Sequence, residues 1–135
     1  MYNLNFEKLI FYNTGEVGIT VDVEIRFGDS TTRFEAKIDT GATSCIFERR
    51  LGEEIGVEIE NGDMMRFSSA TDSFLTYGHF VSLAVEEFEF YSYVFFAANE
   101  NFKRNVLGRT GWLDRLRIGL IDYDGKLYLS RCESE

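Results

Sequence analysis

The clearest pattern in the chain is an alternation of apolar and polar positions between residues 17 and 27. Strict alternation over this length predicts a β-strand with one buried face. Gly28-Asp29-Ser30 then predicts a turn, and residues 32–38 predict the returning strand of a hairpin. The apolar positions of the first strand are Val17, Ile19, Val21, Val23, Ile25 and Phe27.

A period of four replaces the alternation after residue 43. It predicts a short helix over residues 44–55, with Thr43 or Ser44 as the N-cap. The apolar positions of this helix, and the glycine just past its end, are Phe47, Leu51, Ile55 and Gly56.

Turn signals divide the rest of the chain into short strands. Asn61-Gly62 is typical of a hairpin turn, and residues 64–77 predict a polar hairpin that turns at residues 70–73. A second short helix is expected over residues 112–116. The remaining predicted strands are 80–85 and 88–96, around Glu86-Glu87, and 117–121 and 126–129, around Asp124-Gly125. Many short strands with two brief helices indicate a mainly β, barrel-like fold.

Length and composition set the limits of this interpretation. The chain has 135 residues, no proline and no Gly/Ser-rich linker, so we expect a single domain over residues 1–135 with its core at about 17–129. The net charge of −9 argues against nucleic acid or an anionic membrane as a partner. The sequence shows no apolar run of membrane-spanning length and no secretory signal pattern, and we expect a cytoplasmic protein.

The candidate site is Asp39-Thr40-Gly41-Ala42, which follows the predicted strand 32–38. Taken alone, this motif is equally typical of a turn in which Asp39 caps nearby amides and Gly41 adopts a positive φ. A second motif, Asn105-Val106-Leu107-Gly108-Arg109, lies further along and leads into the predicted helix at 112–116.

Together, the two motifs and the hairpin between them resemble the retropepsin-like aspartic proteases, over residues 17 to 129. The resemblance implies a closed half-barrel with one domain per chain, and an endopeptidase without metal or cofactor. The reaction needs two carboxylates and the chain has one such motif, so a homodimer is expected, with Asp39 of each copy at the two-fold axis.

The resemblance also implies roles for individual residues. Asp39, Thr40 and Gly41 form the catalytic loop, and residues 106–108 pack behind it. Residues 64–77 are the flap that closes over an extended peptide or protein substrate. The residues expected to contact that substrate are Ala42, Ser69, Ala70, Thr71 and Asp72.

Two departures from the family pattern keep a second function open. The residues after Ala42 offer no acidic partner for Arg109, and the flap has no glycine between Gly62 and Gly78. The alternative is a dimerisation or peptide-binding module of the same fold that has lost proteolysis. A β-barrel unrelated to proteases, with residues 39–41 as a plain turn, is a third possibility.

Two other residues have reactive side chains. Cys45 and His79 are the residue types of a nucleophile and its base, but their positions favour a packed thiol and a half-buried strand histidine. With Cys132 as the only other thiol, neither a disulfide framework nor a zinc site is expected.

Overall fold

The alternating segment forms the first strands of a β-barrel. The computed structural model describes residues 1–132, and in it β2 (Thr20–Phe27) and β3 (Ser30–Ile38) are antiparallel, with Phe27 opposite Ser30. Gly28 makes the turn at φ +62°. The predicted hairpin is confirmed, but its first strand begins at Thr20, and Val17 before it is 87% exposed.

Five further strands complete the larger sheet. These strands are β4 (Ile46–Phe47), β5 (Asp63–Ser68), β6 (Ser73–Val85), β7 (Phe88–Ala97) and β8 (Val106–Leu107). The order in the sheet is β2-β3-β8-β4-β7-β6-β5, and β2 also pairs with β6, which closes the sheet into a ring with β5 outside it. The strand β6 is continuous, although the sequence predicts a hairpin arm and a separate strand at 80–85.

A second sheet joins the two ends of the chain. It consists of β1 (Lys8–Phe11), β9 (Leu116–Ile121) and β10 (Lys126–Arg131), in the order β1-β10-β9. The β9–β10 hairpin matches the prediction, and Gly125 adopts φ +65° at its turn. The strand β1 was not predicted from the sequence.

The first predicted helix is wrong over its first half. Residues 46–47 form β4, because Ile46 pairs with Phe95 on one side and with Val106 on the other, and a strand position between two partners satisfies its backbone groups. The helix α1 (Arg49–Glu54) is therefore short, and Glu48 stands at its N-cap in place of Thr43 or Ser44.

Two other local predictions are also corrected. Asn61-Gly62 makes no hairpin turn: a 3₁₀ turn (Ile59–Asn61) ends there and leads into β5. The expected helix at 112–116 is a single 3₁₀ turn (Leu113–Arg115), because Leu116 already pairs with Arg131 in the second sheet.

The core lies inside the ring of strands and beneath α1. Val23, Ile25, Leu83 and Phe96 from the strands are at most 1% exposed, and so is Trp112. The mainly β fold class is therefore confirmed. Within the described residues, none of the helices combines the length and the apolar character needed to cross a membrane.

Candidate active site

Asp39 lies at the point where β3 leaves the barrel. Its backbone N–H donates to the carbonyl oxygen of Leu107 at 3.0 Å, which continues the parallel pairing of β3 with β8. Its side-chain Oδ1 accepts the N–H of Gly41 at 2.9 Å, and its carbonyl oxygen accepts the N–H of Ala42 at 3.1 Å. These bonds orient an exposed carboxylate in a tight loop; Gly41 is not among the glycines with positive φ.

The segment after β8 holds this loop from behind. The N–H of Arg109 donates to the Ala42 carbonyl oxygen and that of Thr110 to the Thr43 carbonyl oxygen, both at 2.9 Å. Gly108, just before these two residues, lies so close to the loop that a Cβ on it would be 2.2 Å from the Ser44 carbonyl oxygen. The predicted packing of residues 106–108 behind the loop is confirmed.

A cavity of about 340 Å³ opens beside the Asp39 carboxylate. The hairpin of β5 and β6 contributes one wall, and β4, β8 and the segment before β8 contribute the rest. Among the residues described by the structure, Asp39 is the one carboxylate in this lining. The lining residues are Asp39, Gly41, Ala42, Thr43, Ile46, Phe67, Ser68, Ser69, Phe74, Phe102, Arg104 and Val106.

Three aromatic rings join the hairpin to the cavity wall. Phe67 and Phe74 face each other across the hairpin, with ring centroids 6.1 Å apart. The Phe74 ring lies 4.7 Å from that of Phe102, in the loop between β7 and β8. Aromatic contacts at these distances stabilise the hairpin in this position over the cavity.

The predicted substrate-binding residues are only partly brought together. Ala42 and Ser69 line the cavity, and Asp72 lines an adjoining one of about 520 Å³. Ala70 and Thr71 occupy the exposed turn, which is closed by the Ser69 N–H bond to the Asp72 carbonyl oxygen at 2.7 Å. Thr40 is exposed beside Asp39 and does not line the cavity.

The sequence did not point to the three phenylalanines and the arginine that line the cavity beside Asp39. Phe67 and Phe74 have a weak signal, since both are apolar residues in a polar hairpin. Phe102 and Arg104 have none, because they belong to an irregular loop that reaches Asp39 only through the fold.

The other reactive side chains are engaged elsewhere. Cys45 is buried, its Sγ lies 3.8 Å from the Thr110 carbonyl oxygen, and desolvation raises its pKa to about 11. His79 is half-buried, and its Nε2 lies 2.8 Å from the Ile59 carbonyl oxygen. A thiol with a raised pKa is a poor nucleophile, so the pair is structural, as expected. Over residues 1–132, no group of three or more His, Cys, Asp or Glu side chains is arranged to hold a metal ion.

A carboxylate at the end of a barrel strand, beneath a β-hairpin and braced by a glycine segment, defines the aspartic protease class. The chain belongs to the aspartyl protease family, since the family model described as aspartyl protease matches residues 21–111. The matched region contains both Asp39 and Gly108. The resemblance to this class inferred from the sequence is confirmed.

Solved structures show the same fold. A retropepsin-like aspartic protease from Rickettsia conorii superposes with a TM-score of 0.64 at 15% identity, over 90% of this chain and 96% of that one. The EIAV protease complexed with the inhibitor HBY-793 gives a TM-score of 0.54 at 17% identity, over 74% of this chain and 88% of that one. A comparison with curated protein sequences gives no significant match.

Proposed function

We propose that the protein is a homodimeric aspartic endopeptidase in which each chain, acting as one domain over residues 1–135, supplies one Asp39. The observation that carries the proposal is the exposed Asp39 carboxylate, which within the described residues is the one acid in a cavity beneath a hairpin. A single carboxylate is half of what acid–base hydrolysis of a peptide bond requires. A two-fold axis through the loop supplies the other half, because residues on such an axis meet their own copies.

In the proposed reaction the two Asp39 carboxyls share one proton, because two carboxylates a few Å apart cannot both ionise. The ionised carboxylate takes a proton from a water molecule whose oxygen attacks the peptide carbonyl carbon, and the protonated carboxyl gives its proton to the carbonyl oxygen. The resulting diol then passes a proton through the dyad to the amide nitrogen, and the C–N bond breaks. Metal and cofactor have no part in these steps.

The remaining residues position the dyad and the substrate. Gly41 donates its N–H to the Asp39 carboxylate, and the proposal has Thr40 bonding to the other copy across the axis. An extended peptide lies beneath the β5–β6 hairpin as an added strand, in contact with Ala42, Ser69 and the turn residues 70–72. The proposal places the enzyme in the cytoplasm, where the free thiols Cys45 and Cys132 stay reduced.

Mixed dimers test the shared site directly. Asp39→Asn keeps the shape of the side chain and removes the base, and we expect it to lower kcat at least about a thousandfold. Wild-type and Asp39→Asn chains are unfolded together, refolded in known ratios, and assayed on a peptide library. A hybrid dimer has one carboxylate, so activity falls as the square of the wild-type fraction.

The control is Asp29→Asn, which makes the same change in the exposed β2–β3 turn. Its chains keep Asp39, so mixtures with wild type keep full activity at every ratio. Activity proportional to the wild-type fraction in the Asp39→Asn mixtures would show that each chain works alone. Full activity of Asp39→Asn itself would exclude the mechanism.

A second function, a peptide-binding module without proteolysis, is favoured by one observation. The hairpin has no glycine between Gly62 and Gly78, and the contact of Phe74 with Phe102 holds it down. The test is whether the protein binds extended peptides and also cuts them. Binding without cleavage of any peptide in a diverse library, between acidic and neutral pH, would support this function over the first.

A further inference from the structure

Among the described basic residues, Arg104 lines the largest number of cavities at and around Asp39. Arg104 lines the 340 Å³ cavity together with Asp39, and it also lines the two cavities that adjoin this one, of about 520 Å³ and 320 Å³. It is the one basic residue of the central cavity within the described chain. In the proposed protease, a substrate residue bound in this cavity would lie beside Arg104.

The charge of Arg104 is not neutralised within the described residues. Neither Arg104 nor its neighbour Lys103 has a carboxylate oxygen within 4.0 Å of its charged nitrogens. The other adjacent pair of cations, Arg49 and Arg50, is neutralised by four glutamates. Within the described residues, seven of the 14 basic side chains have a carboxylate partner, and Lys103 and Arg104 are among the seven that do not.

Arg104 is exposed, and its guanidinium lies over an aromatic ring. Its Cζ lies 5.1 Å from the centroid of the Phe102 ring, within the range of a cation–π contact. A guanidinium carries its N–H donors at the edge of the planar group. A planar fork of donors matches a carboxylate.

Three acidic residues share these cavities and must be weighed against Arg104. Asp39 belongs to the proposed dyad. Asp72 is at the hairpin turn, where its Oδ1 accepts the N–H of Ser73 at 2.9 Å. Glu35 lines only the 320 Å³ cavity, which Lys37 and Lys103 also line. These acids line the same cavities as Arg104, so their repulsion opposes its attraction for a substrate carboxylate, and salt weakens both effects.

We propose that the cleft selects peptide substrates with an aspartate or glutamate side chain next to a bulky apolar residue at the scissile bond. The inference rests on the proposed proteolysis and names its substrate class. The apolar residue packs against Phe67, Phe74 and Phe102, and the carboxylate pairs with Arg104. The net charge of the protein would predict the opposite preference, for basic peptides.

The test uses peptides blocked at both ends, so that side chains supply the only carboxylates. At each position flanking the scissile bond, Glu, Gln and Lys are compared as ratios of kcat/KM. For the wild type we expect about a tenfold preference for Glu over Gln at one position, which weakens as salt is raised. Taking a ratio within one enzyme cancels any general effect of a variant on Asp39.

Two variants and a control assign the preference to Arg104. Arg104→Gln brings the Glu/Gln ratio to about one, and Arg104→Glu favours Lys. Arg33→Gln makes the same change in net charge on an exposed side chain of β3 (79% exposed) and keeps the wild-type ratio. Cleavage with no acidic preference, or with a preference that survives Arg104→Glu, would overturn the inference and leave the proteolysis standing.

If no peptide is cleaved, the proposed function fails separately. Binding of the same blocked peptides to the Asp39→Asn protein, followed by fluorescence anisotropy, then decides the inference. Tighter binding of Glu peptides that is lost on Arg104→Gln supports it, and equal binding of Glu and Gln peptides refutes it.

Discussion

Gly108 and Ser44 lie in closer contact than any side chain on residue 108 permits, since a Cβ there would be 2.2 Å from the Ser44 carbonyl oxygen and 2.6 Å from its carbonyl carbon. Both neighbours are backbone atoms and cannot rotate away. The contact brings the segment after β8 against the loop that carries Asp39.

We therefore expect Gly108→Ala to destabilise the protein by about 3 kcal/mol, the upper range for overpacked sites. For a chain of this size the melting temperature falls by about 10 °C, as measured by circular dichroism. We expect proteolysis to fall further than stability alone explains, because the Ser44 and Ala42 carbonyl groups that the added Cβ meets must move. The matched control is Gly28→Ala: no heavy atom lies within 4 Å of its added Cβ, and its φ of +62° costs about 1 kcal/mol. Equal losses in the two variants would contradict this account of Gly108.

The hairpin over the cavity is held by Phe74, and its truncation should weaken substrate binding. Phe74→Ala removes the ring contacts to Phe67 and Phe102, each worth about 0.5–1.5 kcal/mol. We expect KM to rise about two- to tenfold, and amide hydrogen exchange in the turn at 69–72 to speed up. Phe80→Ala is the control, because Phe80 lies on the same strand but stacks on the exposed Tyr91 at 5.2 Å. A rise in KM of the same size in Phe80→Ala would show that the effect is general to β6.

The two thiols should differ sharply in reactivity. Cys132 is exposed, whereas burial raises the pKa of Cys45 from 9.0 to about 11, so at pH 8 only about one Cys45 in a thousand is a thiolate. Ellman's reagent is expected to modify one thiol per native chain and both in guanidinium chloride. In Cys132→Ser no thiol reacts until the protein unfolds, and rapid labelling of this native variant would contradict the buried position of Cys45.

The same pKa has a consequence for stability. The folded protein keeps the Cys45 proton up to about pH 11, whereas the unfolded chain releases it near pH 9. The folded state binds the proton more tightly, so this contribution is complete below pH 9 and is lost as the pH rises through 11.

Local patterns predicted those parts of the fold that local physics decides. The alternation at Val21, Val23 and Ile25 placed β2 correctly because one of its faces is buried and the other is not. The turns at Gly28 and Gly125 were also predictable from local sequence, because glycine readily adopts the positive φ that both residues have.

Elements that depend on distant pairing were beyond these patterns. Phe47 has helical spacing with Leu51 and Ile55, but Ile46 and Phe47 are extended between β7 and β8. The strand β1 shows no clear alternation and is stabilised by pairing with β10, more than a hundred residues away. At the site, Asp39 was found because a motif contains it, whereas Phe102 and Arg104 reach it only through the loop before β8.

The continuity of β6 has a mechanical consequence. Its first part pairs with β5 in the hairpin, its last part pairs with β2 where the barrel closes, and β7 borders it from Thr76 to Val85. The β5–β6 hairpin is thus a direct extension of the barrel wall. How easily it bends therefore depends on how tightly residues such as Leu83 pack in the core. Substrate entry and barrel stability then cannot be tuned independently, because both depend on the same strand.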